Sequence, residues 1–84
     1  MTSKEIKAAA FEWLGKDAEE MKKSLGWTEF ASWPNIDGGV DYIFLTPVME
    51  PEGYGTLAYF DTDNSGKIIK VAYGGPGEFE EVSV

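Results

Sequence analysis

The chain is expected to form a single α+β domain over residues 1–84, with one or two N-terminal helices packed on an antiparallel meander of three or four strands. Helix-capping signals and apolar residues spaced three and four apart stop at Gly26. β-Branched and aromatic runs separated by Gly and Pro begin at Val40. Eighty-four residues are enough for one modest core and leave little surface for a deep cleft.

Thr2-Ser3-Lys4-Glu5 fits a capping box, in which the threonine hydroxyl accepts a backbone amide and the glutamate reaches back. Ile6, Ala10, Trp13 and Leu14 then share one helical face, with Lys4, Lys7 and Glu12 left to solvent. Gly15 suits a helix end, and Asp17-Ala18-Glu19-Glu20 starts the pattern again with Asp17 as cap. Ala18, Met21 and Leu25 form a second apolar stripe, Lys22 and Lys23 sit where the helix dipole favours cations, and Gly26 ends it. Two short helices and one helix bent at Gly15 both satisfy this pattern.

Trp27, Phe30 and Trp33 recur at intervals of three, compatible with one helical turn before Pro34 and Asn35-Ile36-Asp37-Gly38-Gly39 impose a loop. Val40 to Thr46 is the first expected strand, with Val40, Tyr42 and Phe44 on one face and Ile43 and Leu45 on the other. Pro47, Pro51, Gly53 and Gly55 punctuate the connection to a second strand, Thr56 to Phe60. A third runs from Ile68 to Tyr73 and is broken by Gly74-Gly75-Pro76-Gly77. Phe79 to Val84 adds a short edge strand, where Glu78, Glu80 and Glu81 discourage pairing with a neighbouring molecule.

The stretch from Phe60 to Ile68, FDTDNSGKI, begins like a calcium-binding loop. Asp61, Asp63, Ser65, Gly66 and Ile68 meet five requirements of an EF-hand, but the twelfth position, where a bidentate glutamate belongs, is Ala72. The flanking residues also have strand chemistry where that motif needs helices. A hairpin explains every residue: Asp63, Asn64 and Ser65 bond their own backbone, and Gly66 supplies the positive φ of a type I turn with a bulge. A weak cation site is the lesser reading, and no metal ligands or cofactor are assigned.

The chain has no Cys, His, Arg or Gln and a net charge of −8. Disulfides, thiolate or imidazole zinc sites and the usual nucleophile arrangements are therefore excluded. A carboxylate pair working as acid and base needs a groove and an apolar pocket that so short a chain rarely builds, so no enzyme is expected. Gly74 to Gly77 follows a strand without opening a helix, which argues against a phosphate cradle. No basic leader or run of about 18 apolar residues occurs, so a soluble cytoplasmic protein is expected.

Charge is distributed unevenly. Residues 1 to 23 balance five lysines against five acids, whereas residues 24 to 66 carry seven carboxylates and no base. Such a surface repels nucleic-acid phosphate and anionic membranes and attracts a basic protein. The simpler alternative is that the charge only keeps a small domain soluble. Twelve aromatic residues exceed what one small core readily uses. Trp13, Phe44 and Tyr59 are assigned to the core, and two or three of Trp27, Phe30, Trp33, Tyr54 and Tyr73 are expected as exposed interface anchors.

The order helix, Gly, helix, then Leu25-Gly26-Trp27 and strands containing Gly55 to Asp61 and Gly66 to Val71, resembles the αα-βββ fold of the SmpA/BamE envelope lipoproteins and the β-lactamase-inhibitor proteins. That resemblance covers residues 3 to 73 and implies a non-enzymatic module that grips another protein with its sheet face. In size, acidity and lack of catalytic groups the chain is also similar to the small anti-defence proteins of phages, anti-CRISPR proteins among them. The expected function is a monomeric or homodimeric inhibitor that mimics nucleic acid, placing Asp37, Asp41, Glu50, Glu52, Asp61 and Asp63 against a basic partner surface. The alternatives are an assembly module that pairs through its aromatic face and a calcium-binding domain.

Overall fold

The structure, a computed structural model, describes residues 2–47, 56–75 and 78–84. Two helices, α1 (Ser3–Phe11) and α2 (Ala18–Leu25), precede five strands: β1 (Thr28–Pro34), β2 (Val40–Leu45), β3 (Leu57–Thr62), β4 (Ile68–Gly75) and β5 (Glu78–Ser83). The strands form one antiparallel sheet in sequence order. The α+β class is as expected, but the sheet has five strands rather than three or four. The added strand is β1, where the spacing of Trp27, Phe30 and Trp33 suggested a helical turn.

Both helices form as the cap signals dictate. Thr2 accepts from the Glu5 amide at 3.2 Å while Glu5 accepts from the Thr2 amide at 2.9 Å, and Asp17 accepts from the Glu20 amide at 3.1 Å. Helices of nine and eight residues are too short to stand alone, so burial must hold them. Ile6, Ala10, Ala18 and Met21 are the residues they bury. The link between the helices is not a bend. Gly15, at φ +83°, donates its amide to the Ile68 carbonyl, and Ile68 donates back to Lys16, which ties the link to the start of β4.

One sheet face lies under the helices. Phe44, Ala58, Phe60, Ile68, Val71 and Tyr73 join the four helical residues in a single core. Phe44 meets Phe60 edge to face at 5.7 Å between ring centroids. Tyr73, expected as a surface anchor, is only 7% exposed, and its hydroxyl reaches Thr56 Oγ1 at 3.3 Å. Tyr59, expected in the core, sits one residue out of phase with Ala58 and Phe60 and packs against Phe79 on the other face. The strand alternation reverses both assignments.

The two hairpin turns share one geometry. In Asn35 to Gly39, the Asn35 side-chain oxygen accepts from the amides of Asp37 and Gly39 at 3.0 and 2.9 Å. In Asp63 to Lys67, Asp63 Oδ1 accepts from the amides of Ser65 and Lys67 at 2.9 and 3.0 Å. The fourth residue of each is glycine in the left-handed region, Gly38 at +82° and Gly66 at +85°. FDTDNSGKI is thus the expected turn with a glycine bulge. Thr62 fastens the hairpins together, its hydroxyl accepting from the Val40 amide at 2.8 Å and donating to the Val40 carbonyl at 2.9 Å. Gly39 lies so close that a Cβ there would collide with the Thr62 and Asp63 carbonyls.

Candidate functional site on the open sheet face

Neither α1 nor α2 covers the second face of the sheet. The register sets its residues in rungs across the strands: Ala31, Ile43, Tyr59, Ala72 and Glu81 form one, and Trp33, Asp41, Asp61, Lys70 and Ser83 the next. A third rung carries Leu45, Leu57 and Phe79. Apart from Glu81 at the β5 edge, the face is therefore apolar along two rungs and charged along the one beside the hairpin turns. Trp33, Leu45 and Phe79 remain 48%, 44% and 60% exposed.

At the charged end a depression of about 450 Å³ opens between the β1–β2 turn and the sheet, lined by Asn35, Ile36, Asp37, Asp41, Asp61 and Lys70 among others. Asn35 positions it, donating from Nδ2 to Asp41 Oδ1 at 2.9 Å and to the Thr62 carbonyl at 2.8 Å. Lys70 Nζ stands 3.8 Å from Asp61 and 3.5 Å from Glu81, dividing one positive charge between two carboxylates. Burial and the neighbouring Asp41 charge push the Asp61 carboxyl above the usual aspartate range, while Lys70 pulls the other way.

Lys7, Lys16 and Lys22 are engaged away from this rung. Lys7 bridges to Glu80 at 3.0 Å, Lys22 pairs with Glu19 at 3.1 Å and lies over the Tyr42 ring, and Lys16 lies over Trp13. Of the acids expected at the site, Asp37, Asp41 and Asp61 come together in the depression. Asp63 belongs to the adjoining turn and spends one carboxylate oxygen on Ser65 and Lys67. Glu50, Glu52 and Tyr54 lie outside the described residues. Among the aromatic candidates, Phe30 and Trp33 are exposed, whereas Trp27 is half-buried against the core and Tyr73 is within it.

Sequence reasoning missed Asn35, Ile36, Lys70 and Phe79. Ile36 is 99% exposed at the tip of the β1–β2 turn, an unusual position for a large apolar side chain. The Asn-x-x-Gly spacing was the available signal for Asn35; Lys70 and Phe79 become visible only once the register is known. Among the described residues no group of three or more acids is arranged to hold a metal ion, and no helix is long and apolar enough to cross a membrane. No protein-family model, curated protein or solved structure matches the chain.

Proposed function

We propose that the protein is a non-enzymatic binding inhibitor whose open sheet face docks on a basic surface of a partner protein. Asp37, Asp41 and Asp61 take the places of nucleic-acid phosphates there, and Trp33 inserts beside them as the apolar anchor. The observation that carries this reading is the placement of Trp33 in the same rung as Asp41 and Asp61, with Lys7 and Lys22 paired to Glu80 and Glu19 instead. Carboxylates beside an exposed aromatic ring combine long-range steering of a basic partner with a desolvated anchor. The resemblance in size, acidity and lack of catalytic groups to small phage anti-defence proteins favours a partner-blocking role.

The apolar rungs favour a second reading. Tyr59 and Phe79 stack edge to face with centroids 5.8 Å apart, and Leu45 lies exposed in the Phe79 rung, a surface suited to assembly. Capture of a partner from the source cells, followed by a salt series on the purified complex, separates the two. Docking through carboxylates weakens steeply with ionic strength and is lost in Asp37→Asn/Asp41→Asn. Binding that ignores salt and that double variant, but fails in Phe79→Ala, would replace the first reading with the second.

A further inference from the structure

We propose that Asp41 and Asp61 form a proton-sharing carboxylate pair built into the β2–β3 ladder, so that acidification loads one proton onto the pair, tightens the sheet and removes one negative charge from its open face. The two residues are direct cross-strand partners. Side chains so placed start from Cβ atoms about 4.5–5.5 Å apart, and like charges there repel. Both are half-buried, so water screens them less than it would on an open surface.

The surroundings determine which of the two takes the proton. Asn35 Nδ2 donates to Asp41 Oδ1, so that this oxygen is already engaged as an acceptor. From the other elements, the groups facing the pair are Trp33 on β1, Asp37 in the turn, Lys70 on β4, and Glu81 and Ser83 on β5. Lys70 is the only cation among these, and it is shared with Glu81. Asp61 is the carboxylate that faces three others, Asp37, Asp41 and Glu81, across one divided ammonium, which makes it the proton's site. Burial first, and the Asp41 charge second, raise the Asp61 carboxyl in agreement with this.

The sign of the stability effect follows. A carboxyl whose folded pKa is raised binds its proton more tightly in the folded state than in the unfolded one. The penalty is complete above the folded value, fades as pH falls through it, and is absent below the ordinary aspartate range. Weakened docking of a basic partner at acidic pH rests on the proposed function; the shared proton does not.

The test is a carbon-detected NMR titration of the side-chain carboxyls in the free, full-length chain, wild type and Asp41→Asn. The expected wild-type Asp61 midpoint lies above the usual aspartate range. In Asp41→Asn that midpoint moves down. An Asp61 curve with a single midpoint in the usual range, or one that Asp41→Asn leaves in place, overturns the proposal. Should the variant not fold, the wild-type curve decides alone. Failure of the partner reading would appear only in the salt series and would leave this titration unchanged.

Discussion

The β1–β2 and β3–β4 hairpins are closed by the same turn and yet have opposite fates. Each turn begins with an Asx residue that accepts two amides and has a left-handed glycine at its fourth position. Strands β3 and β4 lie under the helices and bury Ala58, Phe60, Thr62, Ile68, Val71 and Tyr73. Strand β1 is exposed at every position except Ala31, which is half-buried. Turn chemistry therefore makes the hairpin, and helix coverage decides which of its strands join the core. Strand β1 is left exposed while its partner β2 still buries Phe44.

The sharpest way to break this comparison is to truncate one aromatic residue in each hairpin. Phe60 is fully buried against Phe44, so Phe60→Ala loses its transfer energy and leaves a cavity, at a cost of about 3–5 kcal/mol. Trp33 stands on the open face, and Trp33→Ala is expected to cost no more than about 0.5 kcal/mol, as surface substitutions usually do. Urea denaturation of both variants measures the difference. Equal losses would mean that β1 belongs to the folding core and that its exposure is not a functional surface.

The same contrast explains what could be read from the sequence. Both helices were legible because a capping box and a four-residue apolar stripe are local signals, independent of the rest of the fold. Strand β1 was not. A register shift between Glu29 and Ala31 leaves Phe30 outside the regular pairing, so Phe30 and Trp33 fall three apart and imitate a helical turn. Because β1 is exposed on both faces, it also lacks the apolar alternation that marks a half-buried strand. Tyr59 and Tyr73 were exchanged for a related reason: which face each occupies depends on strand phase and on the shift between Asp61 and Thr62. The anionic end was legible as composition, since residues 24 to 66 contain no base. The opposition of Asp41 to Asp61 and the single Lys70 beside them are properties of register, which a sequence does not display.

A smaller effect tests the junction between the hairpins. Asn35 uses both ends of its amide, accepting from Asp37 and Gly39 and donating to Asp41 and Thr62. Asn35→Ala leaves these half-buried groups to water or to no partner, with an expected loss of about 1–3 kcal/mol. The loss should be local: amide exchange is expected to speed up in the β1–β2 turn and at Gly39, while the β4 amides stay protected. Uniform loss of protection would show that Asn35 supports the whole sheet rather than the meeting of two turns.

The smallest expected effect separates the two turns by charge alone. Asp63 performs the task of Asn35 with a carboxylate, and bonds from the Ser65 hydroxyl and the Lys67 and Ser65 amides hold it below the usual aspartate range. A depressed folded pKa contributes stability that is complete above the unfolded value and is lost as pH falls through the folded one. Asp63→Asn keeps an acceptor like that of Asn35 and removes the charge. It should therefore be slightly less stable than wild type at neutral pH, with the gap closing on acidification. Asp61→Asn should behave in the opposite sense, more stable than wild type at neutral pH and losing that advantage as the Asp41–Asp61 pair takes up its proton. Denaturation midpoints of the three proteins from neutral to acidic pH provide the check. A gap between Asp63→Asn and wild type that does not change with pH would show that the Asp63 charge contributes nothing to its turn, leaving the donors of Asn35 and coverage by the helices to distinguish the hairpins.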